Sequence, residues 1–171
     1  TMDRSRFESR VVSLIPPGPV GEQISGLGIK IESLDLARGR ISSSGIFQLV
    51  RMIRKWQPDI IQTWLYHADL LGCLAAKLAG VRHLVWNIRC SNMDLEKYSR
   101  VTTWTIKACA FLSGMPDTII ANSENAVDYH IRTFGYKKEN FQVILNGFDL
   151  SLFKPDRQAG KLVRQALSIP E

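Results

Sequence analysis

The chain of 171 residues is poor in cysteine, holding only Cys73, Cys90 and Cys109. The number is odd, the spacing suits no tetrahedral metal site, and Cys73 and Cys109 fall inside helical patterns. Three reduced thiols are therefore expected, and no zinc. No apolar run approaches the ~20 residues that a bilayer-spanning helix needs. The opening Thr1-Met2-Asp3-Arg4-Ser5-Arg6 has no apolar stretch behind its charges, so it does not read as a secretory signal, and Thr1 ahead of Met2 reads as a remnant rather than a natural start. Several chemical signatures are also missing. Gly26-Leu27-Gly28 precedes a strand pattern instead of following one, which disfavours nicotinamide binding. There is no phosphate loop ending in Gly-Lys-Ser/Thr, no Gly-x-Ser-x-Gly elbow and no His-Glu-x-x-His helix. Few acidic residues cluster where strands end, so no bound metal is expected.

What is present fits one globular domain: 45% hydrophobic and 22% charged residues. The net charge of +6 and pI near 9.4 favour an anionic contact, whether phosphate, an acidic membrane surface or nucleic acid, without choosing among them. Two periodicities alternate along the chain. β-branched runs at Val11–Ile15, Ile29–Leu34, Ile60–Thr63, His83–Ile88, Thr118–Ala121 and Gln142–Leu145 predict strands. Several are apolar at consecutive positions, as in parallel strands covered on both faces. Between them, Ser44–Trp56 carries the stripe Ile46, Leu49, Val50, Ile53 and Trp56. Asp69–Ala79 carries Leu70, Leu71, Leu74, Ala75 and Leu78 before Gly80, and Asn125–Phe134 carries Val127, Ile131 and Phe134 before Gly135. Pro58 closes the first of these helices. The alternation implies βαβ units and a doubly wound α/β domain with a mainly parallel sheet. Beyond Asn146-Gly147-Phe148-Asp149 the alternation breaks, and Arg157–Leu167 reads as one more helix in a linker.

Open parallel sheets bind ligands beyond the carboxyl ends of their strands. Those positions hold Pro16–Pro19, then Tyr66 and His67, then Asn87, Arg89, Cys90, Ser91 and Asn92, then Asn122 and Ser123, then Asn146 and Gly147. Helix N-termini on the same rim add unpaired N–H donors, so a polyhydroxylated or phosphorylated ligand would suit it. Plainer readings stand beside each residue. Ser123 is a good helix N-cap, with Glu124 favourable in the first turn. Asn146-Gly147 is a turn dipeptide, and His67 can be a wet imidazole at a helix start. Arg89 resists such a reading, because its five fixed donors lie near the predicted crevice. Trp56, Trp64, Trp86 and Trp104 read as core and rim packing.

Read together, Pro58–Gly72, Val85-Trp86-Asn87-Ile88-Arg89, Asp117–Ser123 and Val143–Asp149 with Phe153 and Pro155 resemble the N-terminal half of family 4 (group 1) retaining glycosyltransferases, whose two-Rossmann architecture is called GT-B. The resemblance covers roughly residues 9–171. It implies a Rossmann-like three-layer α/β/α domain at 1–155 that mainly holds the acceptor. Residues 156–171 would be the linker or the start of a donor-binding domain. It also implies transfer of a sugar from a nucleotide-sugar donor to a glycan or lipid-linked acceptor, with retention and without a metal or other cofactor. In many members a His follows the strand that matches His83–Ile88, and here Arg89 holds that place, where it would stabilise donor phosphate charge. His67 and Arg89 are thus the candidate catalytic residues, and His67, Asn87, Arg89, Asn122, Ser123, Asn146 and Gly147 the candidate substrate-binding set. Peripheral contact at the cytoplasmic face of the membrane fits the basic charge.

Two departures follow from the resemblance. The donor-binding half that the resemblance implies is expected to lie outside these residues, so the chain alone is expected to be inactive. The family's first strand and most of its first helix are also missing, with Asp3–Glu8 the sole remnant of that helix. That strand would lie centrally, between the strand at Val11 and the one at Ile60, and its loss would open two edges within the sheet. A neighbouring chain filling the gap, re-pairing of the sheet, or self-association is expected. A non-catalytic glycan- or partner-binding module on the same fold is the competing reading. Nucleic-acid binding rests only on Lys137-Lys138 and Arg51/Arg54/Lys55, which a solvated helix face explains.

Overall fold

The computed structural model describes residues 3–37 and 42–170. Its elements alternate as β1 (Arg10–Ser13), α1 (Pro19–Gly26), β2 (Lys30–Ser33), α2 (Ser43–Trp56), β3 (Ile60–Trp64), α3 (Tyr66–Ala79), β4 (His83–Ile88), α4 (Arg100–Leu112), β5 (Thr118–Ala121), α5 (Glu124–Phe134), β6 (Phe141–Val143) and α6 (Arg157–Ala166). Every described strand pair is parallel. The α/β, Rossmann-like organisation read from the alternation is therefore the one observed.

The helix ends follow local chemistry. Gln57 ends α2 at φ 47°, ahead of Pro58, which disfavours a further helical residue before it. Gly80 and Gly135 end α3 and α5 at φ 76°, in the left-handed region where a side chain would be strained. α1 was not legible in the sequence. Pro16–Pro19 reads as a rigid loop, yet Pro19 opens a helix of 8 residues, because its fixed φ suits the first helical position. Residues Asp3–Phe7 form a hydrogen-bonded turn and not a helical remnant. α3 begins three residues earlier than the apolar pattern suggests, directly after the sharp bend at Leu65.

The strands form two sheets. β1 pairs with β2, while β3, β4, β5 and β6 lie side by side in that order. No ladder joins β1 to β3 among the described residues, so the sheet has not re-paired across the expected gap. One apolar cluster nevertheless connects the two parts, running from Val12 and Leu14 through Leu49, Val50, Met52 and Ile53 of α2 to Ile61 and Ala75. A second centres on Trp86, fully buried with Cys73, Ile106, Cys109 and Ile119. A third seats α5 on Ala121 and Val143 through Ala126 and Val127.

Three packing expectations are corrected. Leu78 is 55% exposed, because α3 turns that side outward. Only Trp86 of the four tryptophans is fully buried; Trp64 and Trp104 are 50% and 71% exposed, and Trp104 lines an open apolar hollow with Leu70 and Val101. Coverage on both faces also fails at β3, where Ile60, Gln62 and Trp64 are exposed while Thr63 is buried. β3 is an edge of its sheet, and alternation of side chains leaves one of its faces open. Residues 144–170, α6 included, are exposed throughout and add nothing to the core.

Candidate functional site

Because β3 to β6 run parallel, the residues that follow their carboxyl ends collect along one edge. Leu65, Tyr66 and His67 follow β3, Arg89 and Cys90 follow β4, Asn122 and Ser123 follow β5, and Asn146 lies beyond β6. His67, Arg89, Asn122, Ser123 and Asn146 of the sequence-derived set thus share an edge, whereas Asn87 lies inside β4.

Arg89 and Asn146 are brought into contact, Arg89 Nη1 donating to Asn146 Oδ1 at 2.6 Å across 57 residues of sequence. This bond, and not a turn, explains Asn146. Residues 144–149 form no turn, and Gly147 has no positive φ and nothing within 4 Å of where a Cβ would be. Ser123 caps α5, its Oγ accepting from the Ala126 N–H at 3.2 Å, with Glu124 in the first turn. Asn87 lies within β4, 1% exposed, and donates through Nδ2 to the Thr63 carbonyl at 3.1 Å. Asn122 is half-buried on the rim. His67 sits in the first turn of α3 with Nε2 unpartnered, and burial lowers its pKa. Neither His67 nor Asn122 makes a hydrogen bond to another member of the set.

The entry to α3 is the most constrained piece of backbone at this edge. Leu65 adopts φ 75° and ψ 147°, a region that side chains rarely occupy, and offers no side-chain cap to the first turn. The strain turns the chain from β3 directly into a helix, so the N–H groups of that first turn point at the rim.

Two buried groupings behind the rim escaped the sequence reading. Asp69 is 1% exposed; its Oδ1 accepts from Thr63 Oγ1 at 2.5 Å and its Oδ2 has no partner. Burial without a cation pushes the carboxyl up to about 7, against which the Thr63 bond acts only weakly. Beside it, Tyr66 Oη lies 2.6 Å from His130 Nε2 and 3.1 Å from Cys90 Sγ. His130 Nδ1 lies 2.7 Å from the Ala126 carbonyl, which only a protonated Nδ1 satisfies, so Nε2 accepts from the tyrosine. His130 is fully buried among Tyr129, Phe134 and Tyr136, and burial lowers its pKa while raising those of Tyr66 and Tyr136. A lone acid in the first turn of an apolar helix was the one sequence signal for Asp69. Nothing marked His130, which looks like a polar interruption between Val127 and Ile131. Among the described residues no three His, Cys, Asp or Glu side chains converge as a metal site.

The Glyco_transf_4 profile, described as Glycosyltransferase Family 4, matches residues 1–152. The chain belongs to this family. Its fold is shared with Alr3699/HepE from Anabaena, solved in complex with UDP-glucose, at 22% identity and a TM-score of 0.69 over 92% of this chain and 42% of that one. It is shared also with a glycosyltransferase from Rickettsia africae ESF-5, at 13% identity and a TM-score of 0.62 over 95% of this chain and 41% of that one. This family 4 chain therefore spans about two-fifths of the length of these structures. A sequence search among curated proteins gave no match.

Proposed function

We propose that the chain is the acceptor-side portion of a glycosyltransferase that moves a sugar from a nucleotide-sugar donor to a glycan or lipid-linked acceptor, with retention of configuration. The observation that carries this reading is the joining of Arg89 to Asn146 at the common edge of four parallel strands in a chain of Glycosyltransferase Family 4. Alr3699/HepE was solved with UDP-glucose, which favours a uridine nucleotide as donor.

In this reading Arg89 holds negative charge that develops on the departing nucleotide, its guanidinium oriented by Asn146. The uncapped first turn of α3 supplies N–H donors, and His67 and Asn122 bind hydroxyls along the rim. Ser123 is assigned to capping, with no substrate role needed to explain it. No cofactor or metal takes part, so chelation with EDTA should leave transfer unchanged. The donor half is needed for turnover, and this chain alone is expected to be inactive. The charge of +6 supports peripheral binding at the cytoplasmic face of the membrane; no described helix is long and apolar enough to cross one.

The test is to assay the chain joined to its donor-binding half against a panel of nucleotide sugars that includes UDP-glucose. Transfer or slow hydrolysis of one donor is the expected result, with Arg89→Ala lowering kcat about 100-fold or more. Failure to bind any of them overturns the reading. Binding of glycan with no donor bound would establish the non-catalytic module instead.

A further inference from the structure

The start of α3 and the end of β4, with the residues flanking them, surround a pocket of about 10 Å³ walled by Leu65, Tyr66, Asp69, Asn87, Arg89 and Cys90. That is near the least volume that admits one oxygen atom, roughly 10–15 Å³ on the same measure. Two of its wall residues, Asp69 and Asn87, are each 99% buried and each keep one oxygen without a partner. The orphan on Asn87 is an acceptor. Nδ2 already donates to the Thr63 carbonyl, and the flipped amide would set oxygen against oxygen there. The orphan on Asp69 is Oδ2, since Oδ1 takes the Thr63 hydroxyl. Once Asp69 is ionised, above about pH 7, two buried acceptors thus share a wall, and what they lack is a donor. Arg89 also lines the pocket, but its guanidinium bonds to Asn146 and makes no hydrogen bond to either oxygen. A buried acceptor left unmet is costly, which makes this an incomplete arrangement and not merely a polar spot in the core.

We propose that this pocket is a seat for a single O–H group, which donates to Asp69 Oδ2 with Asn87 Oδ1 as the second acceptor. A water molecule has two O–H bonds and satisfies both atoms. A saccharide offers one hydroxyl, which takes the carboxylate, the stronger acceptor, while Leu65 at the mouth packs against the C–H surface of the ring. The site does not depend on which sugar the enzyme transfers, nor on its being a transferase. Of the wall residues Leu65 is 67% exposed, at the bend that follows β3, so the pocket is nearest the solvent on the rim side.

The experiment is a pair of crystal structures of this chain at pH 8.5, where Asp69 is ionised, one unsoaked and one soaked in glucose. Carboxyl-detected NMR of Asp69 during a glucose titration accompanies them. An oxygen within hydrogen-bond distance of Asp69 Oδ2 in both structures, unmoved by the sugar, assigns the seat to water. Its replacement by a glucose hydroxyl, with a saturable shift of the Asp69 carboxyl resonance, assigns it to saccharide. In that case Asp69→Asn, whose amide supplies its own donor, should weaken glucose binding about tenfold while leaving the fold intact. The proposal is overturned if no oxygen lies within reach of Asp69 Oδ2 at pH 8.5. It is equally overturned if Asp69 and Asn87 are found bonded directly to one another at that pH.

Discussion

Asp69 and His130 are both buried without a countercharge, yet they push stability in opposite directions with pH. The Asp69 carboxyl rises from its ordinary 3.8 to about 7, so the folded state holds a proton that the unfolded state has released between those values. Its contribution is full below about pH 4 and is lost as pH rises to about 7, with a span on the order of a few kcal/mol. His130 is shifted below 6.5, so what it contributes is present above that pH and lost as pH falls beneath it. Urea unfolding from pH 4.5 to 8 should therefore show the two limbs overlapping in the native chain. In Asp69→Asn only the histidine limb should remain, with stability rising steadily toward neutrality, and an unchanged profile would refute the assignment. Tyr66→Phe removes the donor that His130 Nε2 accepts and should cost about 1–3 kcal/mol by the same measurement.

Between elements, α3 approaches β3 closely at Gly72. A Cβ on Gly72 would lie 2.5 Å from Thr63 Cγ2, a buried β-branched side chain that cannot swing aside. Gly72→Ala is expected to destabilise by about 1–3 kcal/mol and to loosen the Thr63–Asp69 bond, visible as a lower urea midpoint and a shifted Asp69 resonance. Gly80 differs. Space is open around it, but its φ of 76° is unfavourable to a side chain, and Gly80→Ala should cost only about 1 kcal/mol. Capping and binding can be separated at Ser123. Ser123→Asp preserves the cap of α5, whereas Ser123→Ala should lose about 1 kcal/mol of stability, and equal activity of the two in the two-domain enzyme would confine Ser123 to capping.

At the scale of the molecule, the split sheet matters most. Among the described residues β1 and β3 have no strand partner across the division, although one apolar cluster spans both sides. Unpaired parallel edges of this kind are templates for another strand. The isolated chain is expected to self-associate or exchange strands, giving light-scattering masses above 19.3 kDa at micromolar concentration. A stable monomer across that range would contradict this. The exposed Ile60 and Trp64 on the open face of β3 act in the same direction.

The sequence by itself determined the alternation of elements, because periods of 2 and 3.6 are local properties and both glycine caps and Pro58 act within a turn of chain. It determined also that polar residues end the strands, and Ser123 could be read as a cap from its position alone. Only the tertiary structure decided which of those residues meet. Arg89 reaches Asn146 across 57 residues and Tyr66 reaches His130 across 64, and no local pattern encodes such a pairing. The same limit hid Asp69, an ordinary first-turn acid in sequence, whose character comes from being covered by β4 and left without a cation. It also misplaced Leu78, since whether an apolar side chain is covered depends on a neighbouring layer that periodicity cannot count.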